Sequence, residues 1–199
     1  MGKVILGFTM SLDGFINDQN GSVGSLYPDL DELRNTEPLK ESIKTTGAVV
    51  MGRRSYDMGD PDWYADNYEF QVPIFVLTRH IPQKQPRQTE KLTFTFVTDG
   101  IESAIAQAKA VSRDKDVTII GGANIAQQCL RADLLDEIHI DIMPLLLCKG
   151  LRLFENIGEQ PIKLEKITVI AAPVRTQLRL RVVKRKQKES QDEKEQLKK

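Results

Sequence analysis

Five short apolar runs, at 3–10, 48–51, 72–77, 93–97 and 117–120, dominate the chain, and segments with helical spacing or polar loops separate them. A strand that stays apolar along its whole length has no face to show to water, so it must be covered on both sides. Runs of this kind alternating with helices predict parallel strands joined by crossovers. The helical segments are 29–46, imperfect around Pro38, then a segment whose Ile101, Ala104, Ile105, Ala108 and Val111 share one face, and a short helix at 123–130. Asp99 with Glu102 reads as a capping box for the second of them. Residues 137–143 alternate Ile138, Ile140 and Ile142 with His139 and Asp141, and 164–171 and 174–183 read as an antiparallel hairpin around Ala172-Pro173. The expected fold class is α/β: a central mixed sheet, helices on both faces, and a C-terminal antiparallel hairpin.

At 199 residues the chain is of single-domain length. Its charges balance, 28 Lys and Arg against 28 Asp and Glu, but 184–199 holds seven of the bases and four of the acids. Removing that segment leaves 21 basic and 24 acidic residues, a faintly acidic body followed by a charged tail expected to be disordered. The domain is therefore expected at 1–183, with no nucleic-acid partner. The longest apolar stretch, 142–148, is interrupted by Pro144 and is far below the ~20 residues that cross a bilayer. No membrane partner or targeting segment is expected. Cys129 and Cys148 stand apart, and with His80 and His139 they form no cluster of metal ligands. A cytoplasmic setting and no metal are expected.

Three segments put glycine or arginine at the end of a predicted strand, where open α/β sheets bind ligands. In Met51-Gly52-Arg53-Arg54-Ser55, glycine allows close backbone approach and the arginines offer planar forks to phosphate oxygens. An ordinary strand-to-helix turn explains the segment equally well, and Arg53-Arg54 replaces the Lys-Ser/Thr of a P-loop. In Ile120-Gly121-Gly122-Ala123-Asn124-Ile125, two glycines before a helix can bring amides against a pyrophosphate, or form a plain tight turn. Thr78-Arg79 ends a third strand with a hydroxyl and a cation.

Taken in order, Thr9-Met10-Ser11-Leu12-Asp13-Gly14, Val50-Met51-Gly52-Arg53-Arg54-Ser55-Tyr56, Val76-Leu77-Thr78-Arg79, Ile119-Ile120-Gly121-Gly122-Ala123 and Asp136-Glu137-Ile138-His139-Ile140 give the chain a family resemblance. It resembles the dihydrofolate reductase-like superfamily, and within it the RibD C-terminal reductase domain of riboflavin biosynthesis, from Lys3 to about Val183. That resemblance implies a dihydrofolate reductase-like three-layer fold and NADPH as cofactor. It assigns Arg53, Arg54, Ser55, Thr78 and Arg79 to the phosphates on the adenosine side, with Gly52 opening the turn. Gly121, Gly122, Ala123, Asn124 and Ile125 would meet the pyrophosphate, the glycine pair through a cis peptide, and Leu12, Gly14 and Phe15 would border the nicotinamide. The implied reaction is hydride transfer to an electron-poor C=N or C=O carbon of a small-molecule substrate, such as 5-amino-6-(5-phosphoribosylamino)uracil.

The proton donor is less defined. Asp13 lies in the motif beside the cofactor, or caps its own turn. Asp29 and Asp31 stand where dihydrofolate reductases keep a pterin-binding acid, or act as ordinary acids of a helix N-terminus. The riboflavin-reductase pattern after the second glycine segment is replaced by Gly59-Asp60-Pro61-Asp62-Trp63-Tyr64. Trp63 and Tyr64, with Tyr68 and Phe70, either stack a planar substrate or pin an inserted loop to the core. His139 and Cys129 read as structural. A dihydrofolate reductase, a reductase of another small heterocycle, and a non-catalytic NADPH-binding dimer are the alternatives; family members are often homodimers, and the hairpin is a place to pair.

Overall fold

The computed structural model describes residues 2–185. The charged segment 186–199, most of the expected tail, lies outside the described residues. Lys184 is inside them, and its ammonium donates to the carbonyls of Asp133 (2.9 Å) and Leu135 (2.7 Å).

The elements in chain order are β1 (Val4–Ser11), α1 (Leu30–Arg34), α2 (Glu37–Thr45), β2 (Thr46–Gly52), α3 (Arg53–Tyr56), α4 (Tyr64–Asn67), β3 (Ile74–Leu77), β4 (Phe94–Val97), α5 (Ile101–Ser112), β5 (Asp116–Ile120), α6 (Ala123–Arg131), β6 (Glu137–Met143), β7 (Leu164–Ala171) and β8 (Thr176–Val182). They form one eight-stranded sheet in the order β4-β3-β2-β5-β1-β6-β8-β7. Strands β4 to β6 in that order are all parallel; β8 and β7 close it antiparallel.

Alternation within each strand explains the layers. Val4, Leu6, Ala48, Val50, Phe75, Val117 and Ile119 pack with Ile101, Ala104, Ile105 and Ala108 of α5 and Ile125, Ala126 and Cys129 of α6. The intervening Val49, Met51, Ile74 and Val76 face the opposite layer, with Tyr56 of α3, Tyr64 of α4, and Leu39 and Ile43 of α2. Two-sided burial is what a parallel sheet requires. Burial also pushes the Cys129 thiol up to about 12. Among the described residues, no helix is long and apolar enough to cross a membrane.

Two local expectations are corrected. The helical region 29–46 is two helices broken at Asn35-Thr36, and Pro38 sits in the first turn of α2, where its missing N–H costs no helical bond. The capping box is absent: Gly100 is the N-cap of α5 at φ 112°, no side chain caps it, and Asp99 stands one residue too early.

One buried charge cluster ties β1, β6, β8 and the approach to α1 together. The Arg175 side chain is only 2% exposed and forms an ion pair with Asp29 through both its Nε (3.0 Å) and Nη2. Its Nη1 donates to Asp141 Oδ2 (3.1 Å) and Thr9 Oγ1 (3.2 Å). Arg175 holds the Asp29 carboxyl below the usual range, and burial raises that of Asp141 against the same guanidinium. Arg175→Met leaves both carboxylates buried without their partner, and the expected loss is about 3–5 kcal/mol in urea unfolding at neutral pH. Because the Asp29 pKa is depressed in the fold, its contribution is full above the unfolded value of about 3.9 and disappears as pH falls through the lower folded value. Unfolding curves of the native protein across this acid range check the sign.

Candidate active site

Because six neighbouring strands run parallel, their C-terminal ends share one edge of the sheet. A cleft of about 1680 Å³ follows that edge. Gly52, Arg53, Arg54 and Ser55 enter it after β2, Thr78 and Arg79 after β3, and Gly121, Gly122, Ala123, Asn124 and Ile125 after β5. Beyond them it continues past Gly7, Phe8 and Thr9 of β1 to Ile16, Asn17 and Tyr27, and is walled by Met58, Trp63, Tyr64, Tyr68 and Glu69.

The β2 and β5 exits press on each other. Gly52 N–H donates to the Gly121 carbonyl at 3.3 Å, and a Cβ on Gly121 would come within 2.4 Å of both Cβ and Oγ of Ser55. Gly121 and Gly122 both have positive φ, 88° and 90°, which L side chains rarely adopt. The peptide between them is trans; no described residue is cis, so the expected cis peptide is corrected. The result is a bare backbone shelf between the arginines and β1.

A family model described as the RibD C-terminal domain matches residues 2–178. The chain belongs to this family. It superimposes on a protein from Shewanella sp. PV-4 named for riboflavin biosynthesis, with TM-score 0.75 and 23% identity over 92% of this chain and 99% of that one. The diaminohydroxyphosphoribosylaminopyrimidine deaminase/5-amino-6-(5-phosphoribosylamino)uracil reductase of Thermotoga maritima matches with TM-score 0.66 and 17% identity, over 92% of this chain and 57% of the longer protein. Dihydrofolate reductase from Enterococcus faecalis, solved with NADP(H), matches with TM-score 0.61 and 17% identity, over 91% and 96%. The RibD C-terminal domain here therefore has the dihydrofolate reductase-like fold.

Within this RibD C-terminal domain, several assigned residues have other work. Leu12 is 64% exposed, Phe15 is buried beneath the Arg152 guanidinium (4.4 Å from the ring centre), and neither they nor Gly14 line the cleft. Their turn is drawn onto the loop after β6: Asp13 accepts the amides of Leu147 (3.1 Å) and Cys148 (2.8 Å), and Leu12 N–H reaches the Leu145 carbonyl (3.0 Å). On this side the cleft is lined instead by Thr9, Ile16 and Asn17. The Ser11 hydroxyl, donating to Asp13 at 2.6 Å, and those amides hold the Asp13 carboxyl below its ordinary range, so it carries no proton near neutrality and acts as a loop clasp. Asp29 is bound by Arg175 outside the cleft, and the Asp31 side chain is 93% exposed beside Arg34. None of the three acids lines the cleft.

The cationic end also divides its labour. Arg53 is neutralised by Asp57, whose two oxygens accept its Nε at 2.8 Å, and its Nη1 reaches the His80 carbonyl. Thr78 Oγ1 donates to that same carbonyl at 2.9 Å and closes its own turn. Arg54 and Arg79 have no ion pair or side-chain hydrogen bond among the described residues. Tyr64 braces the wall, its hydroxyl donating to the carbonyls of Ser55 (3.2 Å) and Tyr56 (3.0 Å), and burial pushes its pKa up to about 12. Trp63 stays 41% exposed in the cleft. Tyr27 and Glu69 were not singled out by sequence reasoning, and Thr9 only as the first residue of a motif, because nothing local gives them a role; folding alone brings them to one cleft.

Gly121→Ala must meet both the positive φ and the Ser55 clash, whereas at Gly21 (φ 82°) an added methyl would meet nothing within 4 Å. Both substitutions are expected to destabilise, Gly121→Ala by about 1–3 kcal/mol more than Gly21→Ala in chemical unfolding.

Proposed function

We propose that this protein is an NADPH-dependent reductase of a small heterocyclic substrate. The observation that carries the reading is the pair Arg54 and Arg79, two guanidiniums without a counter-charge among the described residues, at one end of a cleft whose middle is the bare Gly121–Gly122 shelf. A 2′-phosphate carries about two charges and accepts paired N–H donors, which a guanidinium fork matches. The glycine shelf leaves backbone bare for a pyrophosphate to approach, and packing keeps it so, since a Cβ on Gly121 would collide with Ser55. The first amides of α6, at Ala123 and Asn124, have no intrahelical acceptor and are available to an anion. NADPH, when bound, supplies a hydride from its nicotinamide ring.

The chain's own residues align the partners and exclude water. Arg54 and Arg79 fix one end, the shelf fixes the middle, and Thr9, Ile16 and Asn17 border the far end of the cofactor path. Tyr27, Trp63, Tyr68 and Glu69 form the wall for the hydride acceptor. Burial raises the pKa of Tyr27, so its phenol stays protonated and able to donate. Asp29 is paired with Arg175 and Asp31 faces water, so neither acid expected to meet a pterin lines the cleft, and a substrate other than dihydrofolate is favoured.

The reading also includes pairing of two copies through the hairpin, supported by Leu164, Ile167 and Val169 exposed on edge strand β7. Val169→Glu is expected to shift sedimentation towards the monomer.

Calorimetric titration tests the cofactor. NADPH is expected to bind more tightly than NADH, with Arg54→Ala and Arg79→Ala each weakening NADPH by about tenfold or more and leaving NADH nearly unchanged. Arg53→Ala, already neutralised by Asp57, costs less. A folded protein that binds no NADPH overturns the reading.

A further inference from the structure

We propose that the substrate is an unphosphorylated flat heterocycle, taken up by its ring edge at the β1 end of the cleft through Tyr68 and Trp63. The inference rests on the reading that Arg54 and Arg79 serve the cofactor, and it goes beyond that reading by naming the acceptor's class. It departs from the phosphoribosylamino compound named for the Thermotoga maritima enzyme.

Positive charge is confined to one end of the cleft. The arginines lining it, Arg53, Arg54 and Arg79, all follow β2 or β3. In the sheet, β5 separates β2 from β1, so these exits are two and three strand spacings from β1, roughly 10 and 14 Å. At the β1 end each neighbouring guanidinium is already satisfied. Arg34 is held by Glu69 at 3.2 Å and Asp31 at 3.5 Å. Arg175, beneath Thr9, is held by Asp29 and Asp141. Arg152 stacks on Phe15, lies 3.6 Å from Glu155, and donates to the Asp13 carbonyl. Besides Arg53, Arg54 and Arg79, no lysine or arginine among the described residues lines the cleft, while Glu69 and Glu155 do. A phosphate monoester, with about −1.5 to −2 charges at neutral pH, would find no unpaired cation here.

What the wall does offer suits a ring. The Tyr68 hydroxyl is buried and has no hydrogen-bond partner, although Tyr68 lines the cleft. A buried polar group without a partner costs free energy that a bound acceptor would recover. Burial drives the Tyr68 pKa upward, so the group is a neutral O–H, able to donate to a ring nitrogen or carbonyl oxygen. Trp63, half exposed on the same wall, gives a flat face for stacking.

The test uses the full chain saturated with NADPH and two probe pairs that differ only by a phosphate: 5-amino-6-ribosylaminouracil with its 5′-phosphate, and riboflavin with FMN. Binding is followed by calorimetry and by the fluorescence of Trp63, the single tryptophan of the chain. The expected result is that the unphosphorylated member of at least one pair binds as tightly as its phosphate or more so. Tyr68→Phe is then expected to weaken that member by about tenfold while NADPH affinity stays within about twofold. Preference for the phosphate by about tenfold, binding by no probe, or indifference to Tyr68→Phe overturns the inference and leaves the cofactor reading intact. Failure to bind NADPH in the first titration overturns both, and is recorded before any probe is added.

Discussion

The fold depends on burying both faces of a parallel sheet. Six strands run the same way, and water can touch neither side without leaving an apolar face exposed. Helices α5 and α6 cover one face, and α2, α3 and α4 the other. This arrangement puts every parallel strand's C-terminal end on one edge, and the cleft follows that edge. The antiparallel β8 and β7 then extend the sheet beyond β6.

Charge is used very differently in two parts of the molecule. Around β1, β6 and β8, carboxylates and guanidiniums satisfy one another: Asp29 and Asp141 with Arg175, Asp31 and Glu69 with Arg34, Glu155 with Arg152. Asp13 is consumed in the same way by backbone amides, where it fastens the turn after β1 to the loop after β6. At the β2 and β3 exits, Arg54 and Arg79 are left without such partners among the described residues. Self-satisfied ion pairs stabilise a fold and recognise nothing; unsatisfied charge on a cleft wall attracts a ligand.

The same contrast separates the aromatic residues. Tyr56 and Tyr64 stack at 5.7 Å and 11° and build the wall, and Tyr64 spends its hydroxyl on backbone carbonyls. Tyr68 packs edge-on to Tyr64 at 5.1 Å, but its hydroxyl meets no acceptor. The Tyr56 hydroxyl is likewise buried without a partner, but of the two only Tyr68 lines the cleft.

The sequence by itself determined the α/β class, the order of strands and helices, the hairpin and the glycine-arginine turns, since these follow from periodicity and from residues with particular backbone or charge properties. It could not distribute the acids. Asp13, Asp29 and Asp31 look alike in a sequence, and only the tertiary structure decided that one clasps two loops, one neutralises an arginine 146 positions away, and one faces water. Nor could it bring Thr9, Tyr27 and the adjacent pair Tyr68-Glu69 to one cleft, because they lie on three separate segments with no shared spacing. The physical reason is range: local pattern is set by neighbours along the chain, whereas a carboxylate's role is set by whichever donor the fold brings within about 3 Å.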